Sequence, residues 1–230
     1  MIGSPRVHYR ATDSTNERAK PLAAAGAPHG TLVTAEEQSA GRGRQGRAWI
    51  APAGSAVLMS LVVRDLGERR FPMLPLAAAV AVAEGCESLA PVRCAIKWPN
   101  DVWIERRKVA GILVEGRPGE GWGVLGIGLN VGTQSFPEGL REIATSLPGV
   151  GVEPALAALV EALTDWLGKG VDEVLTAWRT RDALLGQPVR WADGSGVAAG
   201  IDDSGSLLVE TDAGTISLGA GEVHLAATSI

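Results

Sequence analysis

Apolar and polar positions along the chain follow two periods, and they predict alternating strands and helices over most of its length. Thr31 to Glu36 and Ala56 to Val63 are short runs of β-branched and apolar residues, which predicts strands. Pro75 suits the first turn of a helix, and the alanine- and valine-rich stretch behind it predicts a buried helix to about Leu89. Its most apolar part, Leu74 to Ala83, is too short to span a bilayer. Val92 to Ile96 reads as a strand, followed by the turn-like Pro99-Asn100-Asp101. Val102 to Ile104 and Val109 to Glu115 flank the polar tetrad Glu105-Arg106-Arg107-Lys108, a hairpin pattern. Val124 to Val131 is a further strand, while Pro154 to Leu167 and Val171 to Leu184 have helical period. Upstream, Asp13-Ser14-Thr15-Asn16-Glu17 reads as a helix start in which Ser14 caps and Glu17 closes a capping box.

After Gly186 the texture changes. Short apolar stretches alternate with Asp-Gly, Ser-Gly and Ala-Gly turns up to Leu225, which predicts a small all-β module of about five strands. The expected division is therefore residues 1–185 and 186–230. With 230 residues, 46% hydrophobic and 20% charged, the chain has enough material for one core and a small appendage. A net charge of −5 gives no global pull toward nucleic acid or an anionic membrane, so any basic function is local. Two cysteines, Cys86 and Cys94, argue against a disulfide framework and for a reducing cytoplasm; both read as small buried apolar residues. The three histidines lie far apart, without metal-ligand spacing, and the N-terminus has no apolar leader.

Four constellations could carry chemistry. In Gly41-Arg42-Gly43-Arg44-Gln45-Gly46-Arg47, glycines allow close backbone approach and arginines offer forks suited to phosphate and carboxylate. An anion-binding loop that orders over its ligand is favoured over a solvated basic loop or an RNA-binding tract. It is not a P-loop, since the Lys-Ser/Thr end is missing. In Lys97-Trp98-Pro99-Asn100-Asp101 a cation sits at a rigid turn, and Asn100 and Asp101 could meet a ligand or Mg²⁺, or simply cap the turn. Lys108 is either a site group or one more hairpin-tip cation. In Gly126-Ile127-Gly128-Leu129-Asn130-Val131, strand period puts the glycines and Asn130 on one face and the apolar residues on the other. A bare strand face marks close approach by a ligand or by another part of the protein.

These motifs in this order, preceded by Asp13-Ser14-Thr15-Asn16, resemble the biotin–protein ligase family, over about Tyr9 to Val131 and again from Trp178 to Leu225. The resemblance implies an α+β fold: a mixed β-sheet catalytic domain flanked by helices, of the class II synthetase-like biotin ligase kind, and a C-terminal SH3-like β-barrel. It implies a ligase that makes biotinyl-5′-adenylate from biotin and ATP, with Mg²⁺, and transfers biotin to a lysine of a biotin carboxyl carrier domain. Ser14, Thr15, Asn16 and Gln38 would meet the biotin ring system. Gly41, Arg42, Gly43 and Arg44 would cover the biotin carboxylate and the adenylate phosphate, Lys108 would touch the carboxylate, and Gly111, Leu113 and Gly128 would wall the pocket. Arg42, Arg44, Arg47, Trp49, Lys97, Asn100 and Asn130 would face the nucleotide, and Arg44, Lys97 and Lys108 would carry the chemistry. Mg²⁺ would come with ATP, without a dedicated protein site.

Where many members have a second arginine this chain has Gln45, which removes one charge and leaves Arg42, Arg44 and Arg47. The family's longer regulators carry an N-terminal winged helix; with the first motif at Asp13, an enzyme without DNA or membrane partners is expected, and homodimerisation is left open. Three other readings compete: a lipoate ligase on the same fold, a ligand sensor that releases no pyrophosphate, and an RNA-binding protein.

Overall fold

Strand β3 (Ala56–Arg64) is buried from Ala56 to Val63, as only a strand covered on both faces can be. It lies inside a seven-stranded sheet in the computed structural model, which describes residues 1–64, 67–132, 136–219 and 221–226. The other strands are β1 (Arg6–Thr12), β2 (Leu32–Gln38), β4 (Cys94–Lys97), β5 (Asp101–Ile104), β6 (Arg107–Arg117) and β7 (Trp122–Asn130), in the order β1-β2-β3-β7-β6-β5-β4. β1 and β2 are parallel and every other neighbouring pair is antiparallel, so the sheet is mixed.

Helix α1 (Thr15–Ala24) packs on one face, burying Ala19 and Ala23 against Val33, Val62, Trp122 and Val124. The other face is covered by α3 (Leu74–Leu89), which follows the single turn α2 (Gly67–Arg70), with α4 (Val152–Trp166) and α5 (Val171–Arg179) behind it. α3 is apolar nearly all round because it is sandwiched between the sheet and α4. Leu156, Leu159 and Leu163 of α4 are fully enclosed there, each worth about 1.5–3 kcal/mol of transfer free energy.

Four expectations need correction. The strand β1 was not foreseen, because as an edge strand it alternates half-buried with exposed positions and carries no apolar run. At α1, Ser14 occupies the cap position without a side-chain cap bond, and the capping box is absent. Asp13 takes over, accepting from the Ser14 N–H at 2.7 Å and from Arg18, which with Thr12 lowers its pKa to about 2. The β5–β6 hairpin turns on two residues, Glu105 and Arg106 at φ 49° and 63°, so Arg107 and Lys108 belong to β6. Finally α5 stops at Arg179, because the following residues pair with β4: the Ile96 N–H donates to the Arg181 carbonyl at 2.7 Å and the Ala183 N–H to the Ile96 carbonyl at 2.9 Å.

The C-terminal strands β8 (Pro188–Trp191), β9 (Gly194–Ile201), β10 (Leu207–Thr211), β11 (Gly214–Leu218) and β12 (His224–Leu225) form one antiparallel sheet, order β11-β10-β9-β8-β12. The expected fold class holds, a helix-flanked mixed sheet with a small β module, and among the described residues β11 and β12 do not pair to close a barrel. Residues 220 and 227–230 of the expected second unit lie outside the described residues. The module is seated on the larger sheet's end by Trp98, 2% exposed, whose indole N–H donates to the Gly205 carbonyl at 3.0 Å. Gly205, at φ +80°, holds a conformation that residues with a side chain rarely adopt, and a Cβ there would also push aside the ends of Leu76, at 2.7 Å, and Met73, at 3.1 Å.

Candidate active site

The α1 face of β3, β7 and β6 is laid out by register. Leu58 and Ser60 on β3 stand opposite Gly128 and Gly126 on β7, which stand opposite Gly111 and Leu113 on β6. Cross-strand partners share a face, so Gly111 and Gly128 together leave a patch of bare backbone. The close approach is made by the protein itself. A Cβ on Gly128 would run into the Trp49 ring, with Cζ2 at 2.7 Å, and one on Gly126 would run into the Asn16 amide, with Cγ at 2.9 Å. One on Gly111 would meet Lys108 Nζ at 3.0 Å. Above this floor lies a cavity of about 470 Å³, within the range of small-molecule sites. A more open hollow of about 770 Å³ beside Arg107, Leu147 and Pro148 is touched by only one motif residue, Val131.

One end of the cavity is a neutral hydrogen-bonded cluster. Ser60 Oγ, fully buried, lies 2.7 Å from Thr15 Oγ1 and 2.6 Å from Asn16 Oδ1. The Thr15 N–H donates to Gln38 Oε1 at 2.7 Å, and Asn16 Nδ2 donates to Glu115 at 2.8 Å. Burial opposes ionisation of Glu115, but hydrogen bonds from Lys20 and Asn16 outweigh it and hold its carboxyl below the usual range. An ionised carboxylate only accepts, which fixes the Asn16 amide with Nδ2 toward Glu115 and Oδ1 toward the Ser60 hydroxyl.

The other end is cationic. The arginine loop closes on itself through Gly43 N–H to Arg47 O at 2.7 Å and Trp49 N–H to Gly41 O at 2.9 Å, with Gln45 left-handed at φ 55°. Arg42 pairs with Glu17 at 2.8 Å, Arg47 pairs with Glu222 of the C-terminal module, and Lys108 pairs with Asp101 at 2.7 Å. Glu17 and Glu222 thus neutralise the outer two arginines of a loop expected to need an anion to order. Arg44 and Lys97 differ, since neither has a carboxylate within ion-pair distance among the described residues. Arg44 Nη1 reaches only the Asn100 side-chain oxygen at 3.4 Å, and Lys97 Nζ lies 5.6 Å from the centre of the Trp103 ring. Burial lowers the pKa of both, partly offset by Asp101 and Glu222. Two half-buried cations without a directly paired carboxylate favour an anion beside them. Trp49 Nε1 adds a buried donor with no acceptor in the protein, an arrangement that costs about 1–3 kcal/mol while unmet.

Of the residues singled out in the sequence, Ser14, Thr15, Asn16, Gln38, Arg42, Gly43, Arg44, Arg47, Trp49, Lys97, Asn100, Lys108, Gly111, Leu113, Gly128 and Asn130 all border this one cavity. Gly41 does not. It sits at the loop's base, where the Trp49 carbonyl and Gln38 Nε2 fill the space a side chain would need. Asn100 and Asn130 also brace the walls, donating to the Ile112 carbonyl at 2.8 Å and the Thr145 carbonyl at 3.1 Å. Sequence reasoning missed Glu17 as a partner of Arg42, and it missed Ser60, Trp103, Glu222 and His224. Ser60 did carry a signal, as the polar residue inside the apolar run Ala56 to Val63. Glu222 and His224 carried none, because the fold alone brings the chain's end to the loop.

Comparison with known proteins agrees with this geometry. Residues 8–131 match the biotin/lipoate A/B protein ligase family and residues 184–225 match the biotin protein ligase C terminal domain. A biotin–[acetyl-CoA-carboxylase] ligase of Paracoccus denitrificans is 37% identical over 92% of this chain and 97% of its own. The bifunctional ligase/repressor BirA of Bacillus subtilis (strain 168) is 35% identical over 98% of this chain and 75% of its own. The structure of biotin protein ligase from Aquifex aeolicus in complex with biotin and ATP superimposes with a TM-score of 0.85 at 27% identity, covering 98% of this chain and 100% of that one. With the motifs gathered round one cavity and both parts of the chain matched, this protein belongs to the biotin/lipoate A/B protein ligase family.

Proposed function

We propose that the chain is an ATP-dependent biotin–protein ligase that forms biotinyl-5′-adenylate and transfers the biotinyl group to a lysine of a biotin carboxyl carrier domain. The observation that carries this reading is the pair of half-buried cations without a paired carboxylate, Arg44 and Lys97, at one end of a cavity whose other end is lined by uncharged, hydrogen-bonding side chains. A bicyclic urea with a carboxylate tail has that polarity.

In this reading Ser14, Thr15, Asn16 and Gln38 hold the ureido ring, and the tail runs along the floor of Gly111 and Gly128 toward Lys108. The biotin carboxylate attacks the α-phosphate of ATP and pyrophosphate leaves, so no protein nucleophile is needed. The protein brings two anions together and offsets the charge that builds. Arg44, Lys97 and Lys108 are placed for that. Asp101 keeps Lys108 aimed, and Asn100 keeps Arg44 aimed. Among the described residues no cluster of three or more His, Cys, Asp or Glu is arranged to hold a metal ion. Mg²⁺ fits as an ion carried by the ATP phosphates, and Asn100 and Asp101 would offer it oxygen donors from the cavity wall. It would supply charge neutralisation of the phosphates. In the second step the carrier amine attacks the acyl carbon and AMP leaves. The cations around that carbon disfavour an ammonium and so favour the neutral amine that reacts.

We divide the chain at 185/186, with the second unit closing the nucleotide end through Glu222. No helix among the described residues is long and apolar enough to cross a membrane, and the two free thiols, Cys86 and Cys94, suit a cytoplasmic setting. The decisive experiment is mass spectrometry of a purified carrier domain incubated with the protein, biotin and MgATP. One biotinyl group on one lysine, dependent on ATP, is expected. Modification by lipoate in its place moves the chain to the lipoate branch, and ligand binding without pyrophosphate release makes it a sensor.

A further inference from the structure

Single exposed apolar side chains are common on protein surfaces, so where they stand matters more than that they are exposed. Among the described residues the exposed large apolar ones are Met1, Ile50, Ile143, Leu185 and Val197, and Ile50 and Ile143, at 63% and 58% exposure, stand at the rim of the motif-lined cavity. Both are tied to Lys108. Ile50 follows Trp49, whose ring lies 5.7 Å from Lys108 Nζ. Ile143 accepts the Lys108 backbone N–H at 2.7 Å, and the Thr145 N–H donates to the Lys108 carbonyl at 2.8 Å. The two isoleucines therefore belong to the same cavity wall as Lys108, the group assigned to the biotin carboxylate.

We infer that Ile50 and Ile143 form the docking rim for the carrier domain and grip apolar side chains beside its acceptor lysine. The inference rests on the ligase reading. Transfer forms an N–C bond between the acceptor amine and the acyl carbon, breaks the C–O bond to the phosphate, releases AMP and gives up one proton from the amine. A protein-borne amine can reach that carbon only if its domain covers this mouth. The surrounding cations repel a lysine, so charge does not draw it in, and apolar contact at the rim supplies the attraction. Ile143 meets Lys108 through its backbone carbonyl alone, so exchanging the side chain at 143 leaves that hydrogen bond in place and separates docking from chemistry.

The test compares Ile143→Asp and Ile50→Asp with wild type in three assays, with Ile143→Leu as the conservative control. Pyrophosphate release from biotin and MgATP without carrier should stay within about twofold. Hydroxamate formation with hydroxylamine, which attacks the same carbon without docking, should also hold. Biotin transfer to a purified carboxylase carrier domain should lose about tenfold in kcat/KM, chiefly through KM, and recover with leucine. Carrier transfer within twofold of wild type in both aspartate variants overturns the inference, and so does an equal loss with hydroxylamine. Light scattering adds one more outcome: a wild-type dimer that Ile143→Asp makes monomeric gives the rim to a second copy and overturns it too. Were wild type itself to release no pyrophosphate, the ligase reading would be what fails.

Discussion

Leu125 and Gly126 are neighbours in β7 and point to opposite sides of the same sheet. The side toward α3 and α4 is filled by Val57, Met59, Leu61, Ile112, Leu125 and Leu129, all under 4% exposed. The side toward α1 has a small apolar patch at one end and then turns to glycine, serine, asparagine and cations. One face is closed by the hydrophobic effect, which is satisfied within the chain. The other holds desolvated charges and an unmet indole donor, satisfied only from outside. The strands therefore give stability on one face and give up some on the other to make a site.

The sharpest way to break this contrast is at the cations. Lys108→Ala should slow adenylate formation by about 10³-fold and Arg44→Ala by about 10²-fold, with little change in Tm, as read by pyrophosphate release in parallel with thermal melts. Arg44→Gly should in addition release the adenylate faster. If either cation proved dispensable for rate, the site face would be no more than a polar surface.

Next come the two neighbours themselves. Leu125→Ala empties volume from the closed face and should cost about 3 kcal/mol, a fall of roughly 6–12 °C in Tm, while biotin affinity in the folded enzyme stays near wild type. Gly126→Ala does the reverse: its Cβ displaces Asn16, so calorimetry should show biotin binding weakened by about tenfold with a much smaller thermal shift. Equal thermal losses in both variants would show that the two faces are not energetically separate. Smaller again is Glu222→Gln, which keeps a hydrogen-bonding group but frees Arg47 from its ion pair across the two units. A few-fold rise in the KM for ATP, with biotin affinity unchanged, is the expected signature.

Both faces were partly legible beforehand, for different reasons. Period alone placed Gly126, Gly128 and Asn130 opposite Leu125, Ile127 and Leu129, because alternation is a local property of a strand. The motif residues were legible as chemistry, and register then brought Gly111 beside Gly128. What local pattern could not carry was pairing between distant carboxylates and the loop. Glu17 and Glu222 look like any surface acids until α1 and the C-terminal module are in place. The same holds for Trp98, which borders the cavity and also donates to the Gly205 carbonyl of the second unit, a partner that lies more than a hundred residues away in the chain.

The closed face has its own unmet polar atoms, Trp178 Nε1 and Asp182 Oδ2, and these test whether incomplete hydrogen bonding by itself marks a site. Asp182 accepts the Leu184 N–H at 2.8 Å through its other oxygen. Burial raises its pKa above the ordinary carboxylate value, against the lowering effect of the Leu184 and Leu185 N–H groups. A folded-state pKa above the unfolded one means that the group's contribution is fully present below the unfolded pKa and is lost as pH rises through the folded pKa. At neutral pH the buried carboxylate is thus a net cost. Asp182→Asn keeps the acceptor and removes the charge, so it should raise Tm by about 2 °C at pH 7, with the gain vanishing near pH 3. Adenylate formation should not change, because nothing at Asp182 borders the cavity. A stabilised variant with altered kinetics would mean that the two faces communicate through β4 and Lys97. A variant whose melting difference did not depend on pH would mean that shape, not charge, sets the cost there.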